Sequence, residues 1–156
     1  MEPYEEVLGG VSLRPEVTVQ VTGNVEAHRD SFRTEPPDNV VFTGFVPDAD
    51  FVTLLRESDC IIDLTTLPDC LVCGAYEATA LGVPVILSDT AANREIFIPG
   101  AVLASNNARD LARAIREVLR HRREHQAEMQ ILREHLVRRW EQQFGRFSRW
   151  LDGSTL

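Results

Sequence analysis

The chain has 156 residues, 44% of them hydrophobic, which suits one domain with a buried core. Its formal net charge of −8 argues against sequence-independent binding of nucleic acid or anionic lipid, because an acidic surface repels phosphate groups. No apolar run reaches the roughly 20 residues of a membrane span and the N-terminus lacks the features of a secretory signal, so we expect a cytoplasmic protein.

Strands and helices alternate in the predicted order of elements. The first are a strand at 17–21, a short polar helix at 24–32, a strand at 40–43, a helix from 48 to about 58, a strand at 60–64, a helix at 74–81 and a strand at 83–87. A strand at 101–103, a helix at 108–120 capped by Asn106 or Asn107, a tail helix at about 127–144 and a segment at 147–151 follow. Phe51, Leu54 and Leu55 predict the buried stripe of the helix that starts at 48.

The fold class follows from this alternation. Short connections between strands and helices predict right-handed βαβ units, and hence an α/β, Rossmann-like open parallel sheet with helices on both faces. The strands at 60–64 and 83–87 are near-continuous apolar runs, typical of strands covered on both faces, and we expect both to be central. We expect a single domain over 1–156, with its core at about 12–121 and a helical tail at about 122–156.

Two carboxylates flank the start of the helix at 74–81, at the edge where open parallel sheets bind ligands. Asp69 lies in the preceding turn, and Glu77 follows eight positions later. A helical side chain leans toward the N-terminus of its helix, so Glu77 is expected to face the ligand crevice. Diphosphate donors are predicted among the free N–H groups at this helix start, those of Leu71, Val72, Cys73 and Gly74.

A carboxylate beside a phosphate site is repelled unless it has another role. For Glu77 that role is predicted to be accepting hydrogen bonds from vicinal ribose hydroxyls. Asp69, in the loop, could contact the hydroxyls of a sugar attached beyond the phosphates. The residues alone leave two alternatives open: Asp69 as a helix cap and Glu77 as a solvent-facing helix residue.

Three cysteines, Cys60, Cys70 and Cys73, are too few for a disulfide framework, although the last two form a C-x-x-C pair. A zinc site needs four ligands, and the four histidines lack partner-like spacing, so no metal site is predicted. Thioredoxin-like redox chemistry is a further alternative. We expect instead that these are small apolar side chains at the start of a buried helix.

A series of motifs resembles a known family. The pattern has an acidic residue, seven residues and then Glu, followed by a small-residue helix, Gly-x-Pro and a strand that ends near Ser or Thr. This sequence matches it in register with Asp69, Glu77, Ala78, Gly82, Pro84 and Ser88. This pattern resembles the C-terminal domain of the retaining GT-B glycosyltransferases of family 4, and the similarity covers about residues 17–119. The segment at 42–47 resembles the family's loop for the nucleobase, here Gly44, Phe45 and Val46.

The resemblance implies a donor-binding domain of a hexosyl or other glycosyltransferase. The donor would be a UDP-, GDP- or ADP-linked sugar, transferred with retention of configuration and without a protein-bound metal or cofactor. By this resemblance Glu77 binds the ribose and Asp69 the donor sugar, and Gly23 lies in another turn at the same edge. Asp69 stands where the family usually has Glu, and Leu71-Val72 where Phe-Gly is frequent.

Residues 4–11 resemble the family's first helix, so its first strand and the Gly-Arg turn and Lys nearby are expected to be missing, as is the acceptor-binding domain. The chain contains no lysine. We therefore expect the isolated chain to be inactive and to need an acceptor-binding domain or a partner subunit. The alternative is a non-catalytic nucleotide-binding or scaffolding module derived from such an enzyme. A dinucleotide-binding protein is disfavoured, because no G-x-G-x-x-G follows the first predicted strand.

Overall fold

A computed structural model describes residues 3–24 and 35–153, so the helix predicted at 24–32 falls outside the described residues apart from Asn24. The strands within the described ranges are β1 (Val19–Thr22), β2 (Val40–Gly44), β3 (Ile61–Asp63), β4 (Val85–Ser88) and β5 (Ala101–Ala104). The helices are α1 (Tyr4–Ser12), α2 (Asp48–Glu57), α3 (Cys73–Leu81), α4 (Ala91–Phe97), α5 (Ala108–Arg120) and α6 (Arg122–Leu151).

All strand pairs in the described residues are parallel, in two sheets. Strand β1 pairs with β2, and β4 lies between β3 and β5. The parallel α/β fold and the central position of β4 confirm the sequence predictions. The expected central position of β3 is wrong, since β4 is its only partner among the described strands. Apolarity on both faces of β3 reports the helices above and below a sheet, and it carries no information about neighbours within the sheet.

The core lies on both faces of the second sheet, as predicted. Alternate β4 residues point to opposite faces. Val85 and Leu87 pack in a cluster with Phe97 of α4 and Met129 of α6. Ile86 packs on the other face in a cluster that α1 and α5 close. All four residues of β4 are buried, and this strand therefore anchors the edge at which a ligand is expected.

Helix ends follow local chemistry. Gly82 ends α3 in the left-handed conformation, with φ 70°, as its position predicted. Asn107, rather than Asn106, caps α5 by accepting a hydrogen bond from the Asp110 N–H at 2.9 Å. Helix α4 was not predicted: it has seven residues, and its main signal is Thr90, whose hydroxyl accepts from the Asn93 N–H. One cap before so short a run is a weak sequence signal.

Helix α6 is one continuous helix of 30 residues, whereas the sequence predicted a break between 144 and 147. Gly145 lies inside it, and a glycine in a helix interior costs only about 1 kcal/mol relative to alanine. Met129 and Leu132 are its buried residues, and Trp140, Phe144, Phe147 and Trp150 are exposed. No helix of the described ranges is long and apolar enough to cross a membrane.

Candidate functional site

The carboxyl ends of β1 and β2 meet at two glycines. The Gly23 N–H donates to the Gly44 carbonyl at 2.9 Å, and both residues have the positive φ that side chains disfavour. The fold thus brings two of the predicted residues into contact. Phe45 follows with 82% of its surface exposed, beside the half-buried Val46. The backbone of this loop, at Gly44, Phe45 and Val46, stays the predicted nucleobase contact.

A groove of about 840 Å³ lies between β1 and β3. Residues 18–22 line one side and residues 60–64 the other, and side chains of α1, α2 and α5 complete it. Among the predicted site residues, Gly74 and Glu77 line this groove. Asp69, Leu71, Val72, Cys73 and the β1–β2 turns lie outside its lining. The structure therefore gathers part of the predicted site at one end of the groove.

Asp63 was not among the residues predicted from the sequence, and it forms a hydrogen bond with the start of α3. Its Oδ2 accepts a hydrogen bond from the Gly74 N–H at 2.9 Å. A Cβ at position 74 would overlap Asp63 Oδ2, so a larger residue there would have to displace this carboxylate. The Gly74 N–H is therefore not a free diphosphate donor in this structure, which corrects the expectation for this residue. In the sequence, the signal for Asp63 was an acidic residue at the end of an apolar strand, before the turn that contains Asp69.

The other predicted donors at this helix start stay available. Val72 is the N-cap residue of α3, and its side chain makes no capping hydrogen bond. Within the described residues, no hydrogen bond engages the N–H groups of Leu71, Val72 or Cys73. Such groups at a helix N-terminus attract anions. Their proposed role with a diphosphate stays a prediction.

Asp69 and Glu77 share one property. Both side chains are exposed, and neither makes a hydrogen bond or ion pair within residues 3–24 and 35–153. Asp69 does not cap α3, so the capping alternative is wrong. Glu77 is a solvent-facing residue that also lines the groove beside Gly74. A carboxylate without an internal partner can accept hydrogen bonds from ligand hydroxyls without breaking any protein contact.

A polar network ties the carboxyl ends of β3, β4 and β5 together. The Ser88 hydroxyl donates to Asn106 Oδ1 at 2.8 Å and accepts from the Thr65 N–H at 2.8 Å. Asn106 Nδ2 donates in turn to the Thr65 carbonyl at 2.8 Å. Asn93 is fully buried, and its Nδ2 donates to the Ser88 carbonyl at 2.8 Å. This network fixes the strand ends against which α3 and α4 begin.

The cysteines show no catalytic arrangement. All three thiols are free, so Cys70 and Cys73 form no disulfide. Burial, with a smaller effect from the neighbouring Asp59, raises the pKa of Cys60 to about 12. Such a thiol stays protonated at neutral pH and is a poor nucleophile. In the described part of the chain, no three His, Cys, Asp or Glu side chains are placed to hold a metal ion.

The protein-family model described as "Glycosyl transferases group 1" matches residues 12–133. A comparison with curated proteins finds no match. Among solved structures, Anabaena HepE in complex with UDP-glucose superposes with a TM-score of 0.68 and 19% identity, over 86% of this chain and 41% of that one. For HepE in complex with UDP the TM-score is 0.68 and the identity 20%, over 85% of this chain and 40% of that one.

Sucrose-phosphate synthase from Thermosynechococcus elongatus superposes with a TM-score of 0.71 and 19% identity, over 99% of this chain and 43% of that one. At such identities the likeness shows the fold, which is the GT-B type of α/β domain. The chain spans about two fifths of the length of these structures.

Proposed function

This chain belongs to the family of glycosyl transferases group 1, and on that premise we propose that it is a donor-binding domain for a nucleoside-diphosphate sugar, serving retaining glycosyl transfer. The family match spans the five strands of the described residues and α3. The structures of HepE hold UDP or UDP-glucose, which supports this class of ligand for a chain of the same fold. The proposed site is the edge formed by the carboxyl ends of the strands.

The position of Glu77 carries the proposal. It lies one turn into α3, exposed, without an internal partner, and beside Gly74 at the end of the groove. Two vicinal hydroxyls of a ribose supply two donors, which matches the two oxygens of one carboxylate. Burying this carboxylate under a ligand without those donors would be unfavourable. We therefore assign Glu77 to the ribose.

Asp69 is assigned to the donor sugar. It lies in the turn before α3, exposed and without an internal partner. A diphosphate at the N–H groups of Leu71, Val72 and Cys73 would lie between the two carboxylates along the chain. This order supports nucleoside contacts on one side of the phosphates and sugar contacts on the other.

The charge of the diphosphate sets the expected affinity. Asp63 takes up the Gly74 N–H and adds a carboxylate at the start of α3. No arginine lines the groove within the described residues. The phosphates then depend on the remaining N–H groups and on the helix dipole, which is worth about 0.3 to 1 kcal/mol at exposed sites. We expect free nucleotide to bind weakly.

The Asp63 carboxylate at the start of α3 favours a second candidate, a non-catalytic nucleotide-binding or scaffolding module. A leaving diphosphate gains negative charge in the transition state, and preorganised cationic donors are the usual stabilisers. A carboxylate at the start of α3 acts in the opposite direction. The two candidates share the ligand and differ in the chemistry, so sugar transfer in the presence of an acceptor-binding partner separates them.

A ligand panel tests the proposal. Thermal unfolding of the full chain is followed with UDP, GDP, ADP, their glucose conjugates and NAD, each at several concentrations up to 10 mM. We expect one nucleoside diphosphate and its sugar conjugate to raise the Tm. At a hundredfold excess of ligand over Kd, the free energy of unfolding should rise by up to about 2.7 kcal/mol. NAD is the control dinucleotide. Stabilisation by NAD alone, or by none of the panel, would contradict the proposal.

A further inference from the structure

Ser88 ends β4 and belongs to the sequence pattern that resembles the family, yet the proposed function gives it no role. It is 2% exposed, and its hydroxyl donates to Asn106 Oδ1 and accepts from the Thr65 N–H. Because this hydroxyl is buried and already serves as both donor and acceptor within the protein, it is not placed to contact a ligand directly. Any effect of Ser88 on a ligand therefore passes through Asn106 or Thr65.

Thr65 marks the point at which the chain leaves the sheet. Strand β3 pairs with β4 only as far as Asp63, two residues earlier. Side chains replace the strand pairing at Thr65: its N–H donates to the Ser88 hydroxyl, and its carbonyl accepts from Asn106 Nδ2, both at 2.8 Å. Thr65 is buried, and a buried main-chain group without a partner is costly. The polar network of Thr65, Ser88 and Asn106 therefore fixes the start of the loop that follows.

The constraint continues along the loop from Thr65 to Asp69. Thr65 Oγ1 accepts a hydrogen bond from the Leu67 N–H at 3.1 Å, and the Leu67 carbonyl accepts one from the Cys70 N–H at 3.4 Å. The second bond closes a four-residue turn with Pro68 and Asp69 at its centre, and proline is favoured at the first central position of such turns. Two consecutive hydrogen bonds thus connect Thr65 to the turn that presents Asp69.

Glu77 has separate support, because it lies on α3. The start of this helix is held by the hydrogen bond from the Gly74 N–H to Asp63 at 2.9 Å. Ala75 and Ala78 of the same helix are fully buried in the core cluster on one face of β4. None of these contacts uses the polar network.

Helix α2 supports α3 from another side. Leu55 packs against the cluster that contains Ala75 and Ala78. The α2 stripe of Phe51, Leu54 and Leu55 was predicted to be buried, yet these three residues are half-buried and α2 has no buried residue. The core and α2 therefore hold α3, so the position of the helix does not depend on the turn at 67–70.

We propose that Ser88 and Asn106 are positioning residues for the sugar half of the donor: they hold Thr65 and, through it, the turn that presents Asp69. The inference rests on the proposed function, which assigns Asp69 to the sugar. The nucleoside half depends on α3, which has its own support. Loss of the network should therefore weaken binding of the sugar conjugate and spare the free nucleotide.

The first test is calorimetry of nucleoside diphosphates and their glucose conjugates on Asn106→Ala, which lacks the acceptor for Ser88 and the donor to the Thr65 carbonyl. We expect the Kd of the preferred conjugate to rise at least about fivefold and that of its free nucleotide to change less than about twofold. The matched control is Asn107→Ala, which removes the cap of α5 and leaves the network in place. It should lose stability and bind both ligands like the wild type.

A second pair of variants tests the next link and serves if Asn106→Ala does not fold. Thr65→Val keeps the shape and both main-chain groups but lacks the oxygen that accepts from the Leu67 N–H, whereas Thr65→Ser keeps that oxygen. We expect Thr65→Val to bind the conjugate at least about threefold more weakly, with free nucleotide unaffected. Thr65→Ser should bind both ligands like the wild type.

A double-mutant cycle with Asp69→Ala separates positioning from a general effect on the fold. If the network acts through Asp69, its loss has nothing further to displace once that carboxylate is gone. Asn106→Ala and Thr65→Val should therefore cause no further loss of conjugate binding in the Asp69→Ala protein.

The possible failures are distinguishable. Wild-type affinity of Asn106→Ala and Thr65→Val for the conjugate, with a loss in Asp69→Ala, would overturn the inference and leave the proposed function standing. Equal losses for nucleotide and conjugate, or losses that add to that of Asp69→Ala, would show that the network supports only the fold. No loss in Asp69→Ala would remove the sugar assignment and the inference with it. A wild-type chain that binds neither class of ligand would overturn the proposed function as well.

Discussion

Three carboxylates, Asp63, Asp69 and Glu77, surround the start of α3 and differ in what they bind. Asp63 accepts a hydrogen bond from the Gly74 N–H, so it has a structural role. Asp69 and Glu77 are exposed and bind nothing within the described residues. Only side chains of the second kind are free to change partners when a ligand arrives. This difference could not be predicted from the sequence, where all three are acidic residues near one turn.

We predict that Asp69→Ala weakens binding of the sugar conjugate and spares the free nucleotide. Loss of a charge-assisted hydrogen bond to the sugar costs about 1.5 to 3 kcal/mol, roughly 10- to 150-fold in Kd. Asp69→Glu, one methylene longer, should retain most of the affinity. Calorimetry of nucleotide and conjugate on each variant measures the effect. An equal loss for both ligands would remove the sugar assignment.

We predict that Cys60 resists alkylation in the folded chain. Its pKa is raised to about 12 by burial, so at pH 8 iodoacetamide should label Cys73 about 100-fold faster or more. Because the neutral thiol is favoured in the fold, its contribution to stability is complete below pH 9 and declines as the pH rises from 9 toward 12. Mass spectrometry of proteolytic digests measures the rate at which each cysteine is labelled. The control is the chain unfolded in guanidinium, where both cysteines should be labelled at similar rates. Equal native rates would contradict the prediction.

At the scale of elements, α3 is both a structural part and the proposed binding part. Its start has no side-chain cap from its own flanking residue, and Asp63 of β3 supplies the acceptor instead. This contact couples the end of a strand to the first turn of the helix. It also reduces the positive potential that an anion would meet there.

We predict that Asp63→Asn lowers the free energy of unfolding by about 0.5 to 1.5 kcal/mol, because a charge-assisted hydrogen bond becomes a neutral one. The same change removes a negative charge next to the proposed diphosphate site, so nucleoside diphosphates should bind several-fold more tightly at low salt. Urea unfolding and calorimetry measure the two effects. Asp38→Asn, at an exposed position outside the groove, is the control. Unchanged or weaker nucleotide binding would argue against a diphosphate at this helix.

Elements were predictable where local chemistry determines them. Gly82 at the end of α3 and Asn107 at the start of α5 are strong punctuation, and both helices lie as predicted. The apolar run of β3 predicted a strand but not its neighbours, because side chains report the layers above and below a sheet. The continuous α6 passes through Gly145 because a single glycine in a helix interior costs only about 1 kcal/mol, which does not force a break.

At the scale of the whole molecule, order along the chain predicted the parallel α/β fold. The ligand site at the carboxyl ends of the strands stays a prediction. The groove was not predictable, because it depends on which strands pair across long separations in sequence. The network of Thr65, Ser88 and Asn106 has the same cause, since it joins three strand ends. The Asp63 contact joins the end of β3 to the start of α3 eleven residues later, and it depends on how the intervening turn folds.

We predict that the 156-residue chain alone does not transfer sugar. The acceptor hydroxyl must be held within about 3 to 3.5 Å of the anomeric carbon, and that positioning supplies much of the rate. One donor-binding domain offers no second surface to hold an acceptor. Incubation with UDP-, GDP- and ADP-glucose and a broad acceptor panel, followed by mass spectrometry, measures transfer, and nucleotide binding shows that the sample is folded. Turnover by the isolated chain would contradict the prediction.

The most direct test of the central claim, a nucleotide site at Glu77, is calorimetry of UDP, GDP and ADP on three proteins: wild type, Glu77→Ala and Glu141→Ala. Glu141 is an exposed residue of α6 outside the groove and serves as the matched control. We predict that Glu77→Ala loses about 1.5 to 3 kcal/mol of binding to the preferred nucleotide, while its unfolding curve is unchanged. Glu141→Ala should bind like the wild type. Wild-type affinity in Glu77→Ala, or the same loss in both variants, would contradict the claim.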